Sequence, residues 1–204
     1  MSTEPRHVVI FDFDETMVLE NSLSFLFKQL SRPSYWVYAV PAVAQSLIKF
    51  NFGYKLRRAV KKSLYLKFLT GVTENKVRMA GCEVAMILTK NEPIMNRLLE
   101  SVKNGDAVIV ATASPQIYVD AILSSMGIRV DMVIGTKIDL DKGIIIGEEC
   151  SRDAKWVAVR EALKNFNCIS TTGFGNSPDD EYMLEQVDRG FIVSGKNIVQ
   201  HNTV

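Results

Sequence analysis

The segment Val8-Val9-Ile10-Phe11-Asp12-Phe13-Asp14-Glu15-Thr16 constrains this chain more than any other: an apolar β-type run ends on two carboxylates at i and i+2, then a threonine. Alternate residues of an extended chain share a face, so Asp12 and Asp14 can point into one crevice just past the strand end. Open α/β sheets bind ligands at such carboxyl ends. Two acids there can divide the work, one ionised as nucleophile and one protonated as general acid, provided their surroundings push the two pKa values apart. The same residues also make an ordinary turn, because Asp and Thr are common after strands.

Strand-then-helix texture recurs along the chain. Strands are predicted over His7 to Phe13, Ala107 to Ala111, Val130 to Ile134, Ile169 to Phe174 and Gly190 to Val193, with a helix opened by Asn91-Glu92-Pro93 and closed near Gly105. Such alternation predicts an α/β fold with a doubly wound parallel sheet. More than ninety residues separate Phe13 from Ala107, and the patterning from about Ser22 to Thr89 is helical. The expected division is a core of residues 1–21 and 90–204 with a helical insertion at 22–89. A small hairpin is expected where Ile138-Asp139-Leu140 and Ile144-Ile145-Ile146 flank Asp141-Lys142-Gly143.

Composition narrows the functional classes. The 204 residues are 47% hydrophobic and 23% charged, ordinary for a globular chain, and a net charge of +1 provides no global field for nucleic acid. Cys82, Cys150 and Cys168 contain no C-x-x-C pair, which argues against a disulfide framework or zinc site and for a reducing, cytoplasmic setting. Met1 to Arg6 are polar and run straight into a strand, so no signal peptide is expected. Tyr35 to Ile48 is nearly uncharged, but Pro41 and Gln45 interrupt it and it falls short of the roughly 20 residues that span a bilayer.

Three further strand ends bear on chemistry. Val108-Ile109-Val110-Ala111 runs into Thr112-Ala113-Ser114-Pro115, where hydroxyls and successive backbone amides outline a phosphate cradle or, alternatively, a plain helix cap. Lys155 lies near the start of a helix through Leu163, where the macrodipole disfavours a cation unless an anion compensates; a solvated lysine is the other reading. Thr171-Thr172-Gly173-Phe174 leads into Gly175-Asn176-Ser177-Pro178-Asp179-Asp180, with Pro178 opening a helix and Asp180 able to pair a metal-bound water, orient Lys155, or simply stand in an acidic first turn. Together the four groups fall, in order, where a phosphoryl-transfer site of this sheet type needs a nucleophile, a phosphate donor, a cation and a metal ligand.

In that order, Asp12-Phe13-Asp14-Glu15-Thr16, Thr112, Lys155 and Gly175-Asn176-Ser177-Pro178-Asp179-Asp180 resemble the four motifs of the haloacid dehalogenase superfamily, over nearly the whole chain. The tracts at Thr112 to Pro115 and Cys150 to Lys155 are most similar to the branch containing phosphoserine phosphatase and phosphatidylglycerophosphatase C, whose helical cap follows the first motif. The resemblance implies a Rossmann-like sheet with an inserted all-helical cap and Mg²⁺-dependent hydrolysis of a phosphomonoester through an aspartyl phosphate. By position it makes Asp12 the nucleophile and Asp14 the acid and then the base. Thr112, Ala113 and Ser114 would bind phosphoryl oxygens, Lys155 would balance charge, and Asp12, Asp14, Asn176 and Asp180 would hold the metal. Asp14 also sets this chain apart from the founding dehalogenases, which lack that second acid.

Two departures bear on substrate and metal. The branch usually has Asp where this chain has Asn176, which lowers the expected Mg²⁺ affinity unless Asp179 or Asp180 supplies the charge. Asn21 stands where phosphoserine phosphatase places a Glu that holds the substrate amine, which argues against phosphoserine, with Glu20 alongside. Tyr54 to Leu64 reads as a basic amphipathic helix, apolar at 56, 60 and 64, with Arg57, Arg58, Lys61 and Lys62 between. That helix is a solvated cap face, a rim attracting anionic substrates, or a peripheral contact with an anionic inner membrane surface. The leading expectation is a phosphatase acting on a small-molecule or lipid-linked phosphate; the alternative is a phosphate-binding module with little turnover. Nucleic acid is not an expected partner, and a monomer is compatible with the chain.

Overall fold

The computed structural model describes residues 5–31 and 54–201. The apolar stretch Tyr35 to Ile48 lies outside the described residues. Among the described residues there are eight strands: β1 (Arg6–Phe11), β2 (Ala107–Pro115), β3 (Met132–Thr136), β4 (Ile138–Asp139), β5 (Ile144–Ile145), β6 (Cys168–Gly175), β7 (Arg189–Ser194) and β8 (Asn197–Gln200). The described helices are α1 (Ser22–Leu30), α2 (Tyr54–Leu69), α3 (Glu74–Ala85), α4 (Glu92–Asn104), α5 (Gln116–Ser125), α6 (Arg152–Leu163) and α7 (Pro178–Gln186).

Six strands form one sheet in the order β3-β2-β1-β6-β7-β8. The pairs β1–β2, β1–β6, β2–β3 and β6–β7 are parallel, so the sheet is Rossmann-like as expected. The antiparallel edge strand β8 escaped the sequence reading. It is short, and Asn197, Val199 and Gln200 are exposed, so it lacks the alternation that marks a half-buried strand. Chain order runs outward from β1 in both directions, which puts the topological switch point beside β1.

Both faces of β1 are covered, as a parallel strand requires. Val8 and Ile10 join a core with Val159, Ala162, Met183 and Leu184, from α6 and α7. Val9 and Phe11 point into the other core with Val108, Tyr118 and Ile122. Phe11, Phe174 and Phe191 lie in register on three neighbouring strands and stack at 5.0 and 5.1 Å between ring centroids. This locks the ends of β1, β6 and β7 that carry the site. Leu64, Tyr65 and Leu69 of α2 and Val77, Ala80 and Val84 of α3 share that second core, in which α3 packs against α5 and α1, and α2 against α1 and β5.

Two local expectations changed. Strand β1 stops at Phe11 rather than Phe13, because Phe13–Met17 is an irregular helical turn with Glu15 at φ 58°. Such a backbone is uncommon for a residue with a Cβ and collects at functional sites. The Glu15 amide on the Glu20 carbonyl, at 3.2 Å, helps hold it. On α2 the inward side takes in Leu64 as expected, together with Lys61, Tyr65 and Leu69, and Val60 packs partly buried against the same core, so its basic residues are not one solvated face. Lys62 is exposed, whereas the Lys61 side chain retains 15% of its exposure. The hairpin β4–β5 forms as expected, with Gly143 at φ +65°. Among the described residues no helix is long and apolar enough to cross a membrane.

Candidate active site

Asp12 follows β1 directly and is held in place by its own amide, which donates to the Phe174 carbonyl at 2.8 Å. Its carboxylate is buried. One oxygen accepts from Lys155 Nζ at 2.8 Å and the other from the Thr16 hydroxyl at 3.2 Å. Lys155, 1% exposed, comes from the first turn of α6 and also donates to Asp180 Oδ1. The compensating anion expected for a lysine in that position is thus two carboxylates.

Electrostatics set the cluster's resting state. Burial, then the neighbouring Asp180 charge, push Asp12 up to about 7 from 3.8, against the pull of Lys155. Burial alone would lower Lys155, but Asp12 and Asp180 outweigh it and hold the ammonium above its ordinary range. Two buried acids against one buried base leave an excess of negative oxygen, which a hard cation or the protonation of Asp12 can relieve.

Asp180, expected as a metal ligand, also caps a helix and pairs with Lys155. Its Oδ2 accepts from the amides of Asn176 (3.2 Å) and Ser177 (3.1 Å) and from the Ser177 hydroxyl (2.9 Å), forming the capping box of α7. With Oδ1 on Lys155, both oxygens are engaged, so Asp180 orients Lys155 and the Asn176 backbone. Gly175 is what lets this acid come so close: a Cβ there would lie 2.5 Å from Asp180 Cβ. Asn176 donates through Nδ2 to Glu15 Oε2 at 3.3 Å. Asp179, the other acid expected to supply the charge that Asn176 lacks, pairs with Arg57 and, at 3.3 Å, with Arg152.

Asp14 is anchored on the other side of the crevice. Its Oδ1 accepts from the Ser22 amide at 2.6 Å, and its Oδ2 from the Ser114 hydroxyl at 2.5 Å. Ser114 also donates its amide to Thr112 Oγ1 at 3.1 Å, folding the end of β2 into a tight polar turn, with Thr112 and Ser114 buried. The Ala113 carbonyl accepts from Thr136 and from Lys61, both at 2.8 Å. Asn21 is exposed just before α1 and no hydrogen bond ties its side chain to the cluster. Glu20 accepts from the Thr89 amide at 2.9 Å.

Asp12, Lys155, Asp180 and Asn176 are therefore linked on one side, and Asp14, Ser114 and Thr112 on the other. Several residues here had no assigned role: Thr16, Glu15, Lys61, Tyr65 and Glu149. Thr16 lay in view within the first motif, and Lys61 and Tyr65 lay on the basic helix. Glu149, buried and bonded to Lys61 at 2.5 Å, carries no local signal, because its partner lies 88 positions away. Among the described residues no group of three or more His, Cys, Asp or Glu gathers as a metal centre. The oxygens of Asp12, Asn176 and the backbone nonetheless form a hard donor set that fits Mg²⁺, which binds through few carboxylates and completes its shell with water.

Comparison with known proteins bears on the family and the fold. The family model described as haloacid dehalogenase-like hydrolase matches residues 9–185. No curated protein matches the sequence. A solved structure of a protein of unknown function from Bordetella pertussis Tohama I is similar with TM-score 0.72 and 17% identity, covering 92% of this chain and 89% of that one. A phospho-aspartyl intermediate analogue of phosphoserine phosphatase is similar with TM-score 0.60 and 20% identity, covering 92% and 86%. A substrate-bound phosphoserine phosphatase complex gives 0.66 and 16%, covering 92% and 85%. At these identities the likeness speaks for the fold.

Proposed function

Because the chain belongs to the haloacid dehalogenase-like hydrolases, we propose that it hydrolyses phosphomonoesters through a phosphoryl group carried on Asp12. The observation that carries this reading is the buried Asp12–Lys155–Asp180 cluster at the switch point beside β1, facing the polar turn at Thr112 to Ser114. An Asp12 oxygen attacks phosphorus and the bond to the leaving oxygen breaks, while Asp14 gives that oxygen a proton. Asp14 then takes a proton from water, the water oxygen attacks phosphorus, and the bond to Asp12 breaks to release phosphate. Lys155 balances the charge of nucleophile and phosphoryl group, and Thr112 with the neighbouring amides binds phosphoryl oxygens.

Asp12, the Asp14 carbonyl and Asn176 are the residues that would hold Mg²⁺, with Asp180 fixing Lys155 and the Asn176 backbone. When bound, the ion neutralises phosphoryl oxygens that would repel a carboxylate, an obstacle of several kcal/mol. A small soluble phosphate ester suits the site better than a membrane surface, since Arg57 and Lys61 turn toward Asp179 and Glu149. Asn21 and the engaged Glu20 provide no amine site, which disfavours phosphoserine.

Purified protein is expected to release phosphate from an aryl phosphate with Mg²⁺ and to stop in chelator; a phosphate-binding module would show no turnover. Asn176→Asp is expected to tighten Mg²⁺ by roughly tenfold, the effect of one modest added charge interaction. Without metal the introduced carboxylate would face Glu15, which adds to the demand for a cation. Calorimetric Mg²⁺ titration checks this, and equal or weaker affinity would remove position 176 from the metal site.

A further inference from the structure

Ser114 stands where the sequence places a phosphoryl ligand, yet both of its donors point elsewhere. A serine has two, the amide proton and the hydroxyl proton. The Ser114 amide donates to Thr112 Oγ1 at 3.1 Å and its hydroxyl to Asp14 Oδ2 at 2.5 Å, in a residue that is 2% exposed. What remains on its oxygen is lone pairs, which repel an anion. Thr112 is the converse case: its Oγ1 takes the Ser114 amide, so its own hydroxyl proton is left for a phosphoryl oxygen.

Asp14 is held from two sides. Its Oδ1 accepts the Ser22 amide at 2.6 Å and its Oδ2 accepts Ser114. Each anchor is itself fixed. Ser22 opens α1, and its carbonyl accepts from the buried Tyr118 hydroxyl of α5 at 2.9 Å. Ser114 is tied by its amide to Thr112, and the peptide joining it to Ala113 is tied through its carbonyl to Thr136 and Lys61. A carboxylate accepts at about four lone-pair sites, so each anchored oxygen keeps a second site for the proton that passes to the leaving oxygen. One anchor on each oxygen fixes the plane of the carboxyl group. With the Ser22 amide alone it would turn about its broad side-chain torsion.

We propose that Ser114 is a positioning residue, which aims Asp14 at the leaving oxygen and gives no donor to the phosphoryl group. This rests on the phosphatase reading and divides its polar turn in two: the Thr112 hydroxyl serves the group that is transferred, and the Ser114 hydroxyl serves the group that departs.

The test is Ser114→Ala with two esters: propyl phosphate, whose alkoxide must be protonated to leave, and 4-nitrophenyl phosphate, whose phenolate leaves without a proton. A general acid is worth roughly 10²–10⁴-fold. Losing its aim is expected to lower kcat/KM on propyl phosphate by about tenfold or more, and several-fold less on 4-nitrophenyl phosphate. The ratio of the two rates carries the result, because a smaller folded fraction or a general loss of activity cancels in it. Affinity for inorganic phosphate with Mg²⁺, by calorimetry, is expected to change little. Equal losses on the two esters, or no loss on either, would overturn the role of Ser114 while leaving the phosphatase reading intact, and a matching loss of phosphate affinity would make Ser114 a phosphoryl ligand. A wild type that turns over neither ester would end the phosphatase reading and the role of Ser114 with it.

Discussion

Asp12→Asn is expected to lower phosphomonoester turnover by on the order of 10⁴-fold or more, the scale seen when a nucleophile is removed, and yet to leave the chain folded and no less stable. An amide keeps the shape of the carboxylate: its oxygen can still accept from Lys155 and its nitrogen can donate to the Thr16 hydroxyl, which reverses one bond but leaves both contacts at position 12. The charge that repels Asp180 is lost. Folded Asp12 sits near 7 against an ordinary 3.8, so between those values the folded chain holds a proton the unfolded chain has released. Metal-free stability of the wild type therefore falls as pH rises through that window, and the amide variant escapes the fall. Melting curves in chelator are expected to converge near pH 4 and to favour Asp12→Asn at pH 7 and above. A variant that retains substantial turnover would end the assignment of Asp12, and one that unfolds at lower temperature at neutral pH would end the electrostatic account of the cluster.

The second large effect is on stability. Lys155→Met is expected to cost about 3–5 kcal/mol at pH 8, because it leaves Asp12 and Asp180 buried together with no counter-charge. The apolar side chain fits the space of a lysine that is 1% exposed, so lost packing contributes little. The cost is expected to shrink near pH 5, where a raised Asp12 is already protonated and the cluster carries less charge. Lys155 itself, held above its ordinary range, contributes its full stabilisation throughout this span and would lose it only in strong alkali. Urea unfolding at the two pH values measures the difference. Equal stability of wild type and variant at pH 8 would show that the lysine is not what keeps these carboxylates in the core.

Most of the sheet was legible because parallel strands buried on both faces advertise themselves as apolar runs, and the residues after β1, β2 and β6 stand at strand ends whatever their boundaries. Lys155 was legible for a physical reason, since a cation in a first helical turn needs an explanation. Contacts stayed hidden where a side chain's partner is far away in sequence. Asp180 reads equally well as metal ligand, helix cap or lysine partner, and its bond to Lys155 shows only in the fold. The basic residues of α2 look alike in sequence, yet Arg57 finds Asp179, Lys61 finds Glu149 and Lys62 stays exposed. Strand β8 pairs only along one side of β7 and carries too little buried surface to show a pattern.

The central claim is that Asp12 carries the phosphoryl group during turnover. Mixing the protein and Mg²⁺ with an aryl phosphate labelled in its phosphoryl group, quenching in acid within a turnover and mapping the peptides by mass spectrometry tests it directly. The account predicts label on the peptide bearing Asp12, at that residue, absent from Asp12→Asn and cleared when substrate is exhausted. Turnover with no labelled peptide, or label on any residue other than Asp12, would contradict it.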